Sequence, residues 1–162
     1  MTRVGLGFDA HAFAEGRDLV IGGVVIPDSP GLAGHSDADV LSHSIADAIL
    51  GAARLGDLGS LFPNDERWSG ASSLSILAAT VEAAAMNGWA VGNIDATVIA
   101  ERPALAPHRP EMIANIAAAI GIDQDRVSVK ATTTDALGFA GRGEGIAALA
   151  VVLLEAAGPL NS

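Results

Sequence analysis

The 162-residue chain contains no cysteine. It can therefore form neither a disulfide framework nor a thiolate metal site, and any metal it binds must use histidine and carboxylate ligands. The absence also fits a cytoplasmic location. Aromatic residues make up only 4% of a chain that is 50% hydrophobic, so the core has to be built from closely packed Ala, Val, Leu and Ile. Basic residues are scarce: 9 Lys and Arg stand against 19 Asp and Glu, and the formal charge of -10 opposes attraction to a phosphate backbone, which argues against a nucleic-acid partner. No apolar run approaches the roughly 20 residues that cross a membrane, so no membrane partner is expected. The longest, IAALAVVLL from Ile146 to Leu154, reads as a buried strand. The opening MTRVGLGFDA lacks an apolar stretch with a cleavage site and is not rich in Arg and Ser, so no targeting segment is expected. No linker-like run divides the chain, and a single domain over 1–162 is expected.

What the sequence does have begins at GFDAH, residues 7 to 11. Alternate side chains of a strand share a face, so Asp9 and His11 project together. That is half of a metal site, or an Asp–His pair that caps a loop; three or four ligands are needed for an ion.

Strands are predicted around Arg3 to Phe8 and in DLVIGGVVIP, where Gly22-Gly23 between β-branched runs indicates a hairpin. HSDADVLSHSIADAILGA carries apolar residues at Val40, Leu41, Ile45, Ile49 and Leu50, a helical spacing, with Ser36 as N-cap and Asp39 at the capping-box position. After a loop over residues 56–70, a helix runs from Ser73 through Asn87 to a stop at Gly88, followed by a strand in NIDATVIA, a helix in PHRPEMIANIAAAIG, a strand from Arg126 to Thr132 and the closing strand at Ile146 to Leu154. This order gives an α+β fold in which helices cover one face of a mixed β-sheet.

On the first helix His43 lies four residues after Asp39 and four before Asp47, so the three share a polar stripe opposite the apolar one. His43 is the natural third ligand beside Asp9 and His11, in a zinc-type site whose fourth position stays open to substrate or water. Asp37 and Asp39 read as ordinary N-terminal or surface acids. KATTTDALGFAGRGEG, residues 130 to 145, gathers Lys130, three threonines, Asp135, Arg142 and four glycines, the composition of a loop that offers N–H and hydroxyl donors to a phosphate. His108, Arg109, Trp68 and Trp89 read as packing or helix-entry residues.

GFDAHAF, AGHSDADVLSH, GDLGSLFP and KATTTDALGFAGRGEG together resemble, in unbroken order from about Arg3 to Leu154, the 2-C-methyl-D-erythritol 2,4-cyclodiphosphate synthase family of isoprenoid-precursor biosynthesis. The resemblance implies a homotrimer with active sites between subunits. It implies a phosphorus-oxygen lyase that cyclises 4-diphosphocytidyl-2-C-methyl-D-erythritol 2-phosphate and releases CMP. It further implies one zinc per chain on Asp9, His11 and His43, and a second divalent ion, magnesium or manganese, at Asp135 with the substrate diphosphate. His35 and Thr133 match residues that steady the transition state, and Asp47 the carboxylate expected behind a ligating histidine. Substrate contacts are implied at Ser36, Asp57, Gly59, Thr132, Thr134, Phe139 and Arg142. AERPALAP, residues 100 to 107, resembles the cytosine pocket through Ala100, Pro103, Ala104, Leu105 and Ala106. Ala104 stands where many members carry Lys, which leaves Arg102 to supply a phosphate contact, and Asp135 stands where many carry Glu.

Two other functions use the same features. A metal-dependent phosphohydrolase would activate water at the open position and release inorganic phosphate. A non-catalytic cytidine-nucleotide-binding trimer would bind its ligand and leave it intact. A hydrolase needs no pyrimidine pocket and a sensor needs no open metal position, so the two motifs together favour the synthase.

Overall fold

A computed structural model describes residues 1–63 and 65–157. Asn64, within the expected 56–70 loop, and residues 158–162, within the expected single domain, lie outside the described residues. The first strand, β1 (Thr2–Ala14), is longer than its expected core and carries both Asp9 and His11 within it. Its alternation sets the architecture: Val4, Leu6 and Phe8 point to one face, while Gly5 and Gly7 point to the other, against helix α1 (Val40–Ala53). A methyl group at Gly7 would stand 1.9 Å from the Ser44 carbonyl oxygen, and one at Gly5 1.9 Å from that of Ala48. Only glycine lets the helix lie this close to the strand. Asp9 and His11 continue the glycine face, so they meet the first turn of α1, where His43 sits.

The main sheet has the order β4-β1-β7-β5-β6, with β4 (Gly31–Leu32), β5 (Trp89–Ile99), β6 (Val127–Thr132) and β7 (Gly145–Ala156). The β5–β6 pair is parallel and the other pairs are antiparallel, the mixed sheet expected. A separate hairpin joins β2 (Leu19–Ile21) to β3 (Val24–Ile26) through Gly22 and Gly23, whose φ values of 58° and 71° are those a two-residue hairpin turn demands. Helix α1, α3 (Ser73–Met86) and α4 (Arg109–Ile120) cover one face, and their buried Leu41, Ile45, Ile49, Leu77, Met112 and Ile116 meet Ile94, Val98, Ile146, Val152 and Leu154 of the sheet in a single core. The short helices α2 (Leu58–Leu61) and α5 (Gly138–Gly141) and the two-residue β4 were not expected, being too brief to show a periodic pattern.

The other face of the sheet is uncovered. Phe8 pairs across the ladder with Leu149, and Leu6 with Val151, and these four are 55%, 37%, 67% and 44% exposed.

The start of α1 differs from expectation. Asp39, not Ser36, is the N-cap: its carboxylate accepts from the Leu41 and Ser42 amides at 3.1 Å and from the Ser42 hydroxyl at 2.7 Å. It also accepts from the Gly22 and Gly23 amides at 2.9 Å each. Asp39 is therefore no surface acid but a fully buried rivet between hairpin and helix. The stripe Asp39–His43–Asp47 is likewise not a solvated face. With the sheet on one side and the hairpin and α3 on others, Asp39 and His43 are buried and Asp47 is half-buried.

Candidate metal centre and substrate cleft

Three ligand atoms from two elements converge. Oδ2 of Asp9 lies 2.9 Å from Nε2 of His11 and 3.2 Å from Nδ1 of His43, and one ligand atom from each residue falls within a 4.8 Å span. Strand periodicity brings the first two together, and the glycine-permitted approach of α1 adds the third. The electrostatics are those of a group that could hold a cation. Burial pushes the Asp9 carboxyl up, but the His11 and His43 rings beside it outweigh burial and hold Asp9 at about 2. The neighbouring Asp9 carboxylate raises His11 above its usual 6.5, against the opposing effect of burial. Despite its closeness to Asp9, the buried Nε2 of His11 is not aligned to share a proton and has no hydrogen-bond partner. A lone pair aimed at a shared point, beside a carboxylate oxygen and a second imidazole nitrogen, fits a metal ion with nitrogen and oxygen ligands.

The three residues line a cleft of about 240 Å³ together with Gly34, His35, Ser36, Leu58, Gly59, Phe62, Trp68 and Ile76. Arg17 donates to the carbonyls of Gly34 and Ser36 and pins the loop that carries His35, whose Nε2 lies 2.8 Å from the Asp65 carbonyl oxygen. Asp57 caps α2, accepting from the Ser60 hydroxyl at 2.7 Å and amide at 2.8 Å, which lowers its pKa and sets Leu58 and Gly59 at the cleft. Asp47 does not back a ligating histidine. Its carboxylate accepts from the Leu58 amide at 3.2 Å and anchors this same turn. Sequence reasoning missed the apolar wall: Trp68, read as a packing residue, stacks edge-on to Phe62 at 4.8 Å between ring centroids and lines the cleft with it.

The remaining expected residues lie outside this cleft. Thr132 ends β6, and Thr133, Thr134 and Asp135 follow in a turn that is exposed except at half-buried Thr134, with Asp135 and Ala136 in the left-handed region at φ 52° and 64°. Glu101, which the sequence did not single out, holds that turn: its carboxylate accepts from the Thr134 amide at 2.9 Å, the Ala136 amide at 3.2 Å and the Thr134 hydroxyl at 3.3 Å. The two amides hold its pKa below the usual carboxylate range. The Ala100 amide donates to the Thr132 carbonyl at 2.9 Å, so the 100–106 turn, with a cis Arg102–Pro103 peptide, is joined to the threonine turn. Leu105 and Ala106 line a small cavity of about 80 Å³ with Arg109 and Met112, which gives Arg109 a place beside the expected base pocket. Ala104 is exposed and Pro103 half-buried in this turn. Arg142 pairs with Glu144 at 2.7 Å and shares a separate cavity with Glu101 and Arg102, and Phe139 lies beside Ala10, His11 and Ala12.

Among the described residues no helix is long and apolar enough to cross a membrane. A mixed-sheet α+β fold with an Asp-His-His group able to hold a metal ion, in a cleft walled by Phe62 and Trp68, defines the class of a metal-dependent enzyme. The chain belongs to the YgbB family, whose model matches residues 2–155. It is 58% identical over 154 residues to the 2-C-methyl-D-erythritol 2,4-cyclodiphosphate synthase of Geobacter sulfurreducens, covering 94% of this chain and 98% of the relative. It is 56% identical over 155 residues to the synthase of the same description from Marinobacter nauticus, covering 95% and 98%. Among solved structures it resembles Plasmodium falciparum IspF in complex with CDP, with a TM-score of 0.84, 34% identity and 97% of each chain covered. It also resembles the bifunctional IspDF of Campylobacter jejuni, with a TM-score of 0.92, 44% identity and 96% of this chain but 42% of that one covered.

Proposed function

We propose that the chain is a single cyclodiphosphate synthase domain that converts 4-diphosphocytidyl-2-C-methyl-D-erythritol 2-phosphate into 2-C-methyl-D-erythritol 2,4-cyclodiphosphate and CMP in the cytoplasm. The observation that carries this reading is the convergence of Asp9, His11 and His43 in the cleft, in a chain 58% identical to a named synthase. An oxygen of the substrate's 2-phosphate attacks the β-phosphorus, the bond from that phosphorus to the oxygen bridging the α-phosphate breaks, and CMP leaves with that oxygen. No general base is required because the attacking phosphate is already ionised. Asp9, His11 and His43 would hold one zinc per chain and Asp135 a magnesium or manganese ion, which would supply positive charge for the phosphate oxygens.

What the chain itself contributes is alignment and exclusion of water. His35, on a loop pinned by Arg17, and the Thr133 hydroxyl support the reacting phosphate. Ser36, Leu58 and Gly59 border the sugar, and Thr132, Thr134, Phe139 and Arg142 border the phosphates. The 100–106 turn receives cytosine. This division asks for more than one chain, since the threonine turn does not line the cleft of its own metal ligands. The uncovered apolar face at Leu6, Phe8, Leu149 and Val151 supports a homotrimer that joins the two halves across a subunit boundary.

The test is to supply the substrate with zinc-loaded protein and magnesium or manganese and to follow phosphorus NMR. The cyclic diphosphate and CMP are expected in equal amounts. Inorganic phosphate without CMP would make the protein a phosphohydrolase, and intact bound substrate would make it a nucleotide-binding protein.

A further inference from the structure

The side of His43 that faces away from Asp9 is built as carefully as the side that faces it. Its Nε2 lies 2.8 Å from the Ser73 hydroxyl and 3.2 Å from the Ser36 hydroxyl, both buried. Ser73 opens α3, thirty residues further along the chain than His43. Its hydroxyl is bonded to Oδ1 of Asp37, and its amide donates to Oδ2 of the same carboxylate at 3.0 Å. Asp37 is itself fixed, because its Oδ1 also accepts from the Asp39 amide at 3.2 Å and its own amide donates to the Ala71 carbonyl at 3.2 Å. Asp37 is therefore not a surface acid at the start of α1.

The proton count decides the direction of the chain. A serine hydroxyl has one hydrogen, and a carboxylate can only accept. The Ser73 hydrogen is committed to Asp37, so at 2.8 Å from Nε2 the Ser73 oxygen must accept, and the hydrogen between them belongs to His43. A proton then sits on Nε2, which leaves Nδ1, 3.2 Å from the Asp9 carboxylate, as the nitrogen that turns its lone pair to the point shared with Asp9 and His11 when a metal ion displaces the hydrogen it gives to Asp9. The more distant Ser36 hydroxyl accepts from the Ala38 amide at 3.2 Å and closes the pocket around the ring.

We infer that Ser73 and Asp37 are positioning residues for the metal centre: the relay Asp37–Ser73–His43 locks His43 in the tautomer that can ligate through Nδ1 and fixes the plane of its ring. This rests on the reading of Asp9, His11 and His43 as metal ligands. Groups behind ligating histidines act by setting tautomer, orientation and basicity, and losing one typically weakens metal binding by roughly 10- to 100-fold. The placement also binds three segments of sequence to one function. Asp37 comes from the loop before α1, His43 from its first turn and Ser73 from the start of α3, so docking of α3 and readiness of the metal site are the same event.

Ser73→Ala is the informative change, because it removes the hydroxyl while keeping the amide that Asp37 caps. Zinc affinity of the full-length protein, measured by chelator competition, is expected to fall at least tenfold, while the melting temperature of the metal-free protein changes by no more than about 2 °C. Asp37→Asn is expected to weaken zinc less, and the double variant to match Ser73→Ala, not the product of the two effects. Nitrogen NMR of metal-free wild type is expected to show His43 protonated at Nε2, with mixed tautomers in Ser73→Ala. Unchanged zinc affinity in Ser73→Ala, multiplicative effects in the double variant, or a wild-type His43 without a proton on Nε2 would each overturn the relay. Wild type that binds zinc yet releases no CMP would overturn the proposed reaction and leave the relay standing.

Discussion

Replacing Gly7 by alanine tests whether the site depends on how close α1 lies to β1. The added Cβ would stand 1.9 Å from the Ser44 carbonyl oxygen and 2.7 Å from the Ala48 amide nitrogen, where real contacts almost never fall under 3.0 Å. The obstacle is backbone on both sides, in the central helix and a strand paired along its length, so no side chain can swing aside. Helix and strand must separate by at least about 1 Å, an overpacking distortion at the upper end of the usual range, about 3 kcal/mol. In a chain of this length that lowers the melting temperature by roughly 6–12 °C at fixed protein concentration. The same movement carries His43, the residue before Ser44, away from Asp9, and metal coordination tolerates only a few tenths of an ångström. Zinc affinity should therefore fall at least tenfold. Calorimetry of metal-free protein and chelator competition measure the two effects separately. Gly51→Ala is the control: Gly51 lies in the same helix with nothing within 4 Å of its would-be Cβ, and alanine there should stabilise by roughly 0.5–1 kcal/mol. A Gly7→Ala protein with wild-type melting temperature and zinc affinity would refute the close-approach account.

Zinc affinity should depend on pH through His11, whose raised pKa means that a proton competes with the metal. Below the folded-state value, which lies above 6.5, affinity should fall about tenfold per pH unit, and flat affinity from pH 8 to 6 would refute this. The metal-free protein should show the opposite trend, since the stability His11 gains from Asp9 is fully present below pH 6.5 and is lost as pH rises through the folded value. Asp9, held at about 2, adds stability present above pH 3.8 that is lost as pH falls towards 2. Asp135→Asn should lower turnover at least tenfold and raise the half-saturating magnesium or manganese concentration, with zinc content unchanged. Asparagine tolerates the left-handed backbone at φ 52°, and the turn is held by Glu101 instead of Asp135, so an unchanged metal requirement would remove Asp135 from the ligands. Leu6→Glu, placing charge at the centre of the uncovered face, should yield a folded monomer by light scattering without activity; full activity from a monomer would end the shared-site account.

The parts legible in the sequence were those governed by a local period. Asp9 and His11 are two apart on a strand, and His43 falls on a helix whose apolar spacing is plain, so the ligand trio could be assembled without a structure. The Gly22-Gly23 turn and the helix stop at Gly88 were equally visible, because each is a short-range demand on φ. What stayed hidden depends on partners far along the chain. Asp39 looks like a first-turn acid, and only the hairpin amides of Gly22 and Gly23 make it a buried cap in place of Ser36. Asp47 sits at helical spacing from His43, yet its hydrogen bond goes to Leu58 on the following turn. Asp37 and Ser73 are 36 residues apart and have no shared pattern that could pair them.

The same distinction explains why one chain presents its chemistry in two places. The metal trio depends on β1 and α1, which touch along their length, whereas the threonine turn hangs from β6 at the far edge of the sheet, three strands away from β1. Glu101 and the Ala100 amide tie that turn to the 100–106 segment beside it, so the expected base and phosphate contacts form one unit, and among the described residues neither part of that unit lines the cleft. An enzyme that must hold a cytidine diphosphate by its base while metal neutralises its phosphates needs both halves within the length of one substrate. With one sheet face clothed in helices and the other left apolar, the proposed homotrimer would meet that need by placing the β6 edge of one chain against the cleft of a second, and burial of Leu6, Phe8, Leu149 and Val151 and completion of the site would then be a single step of assembly.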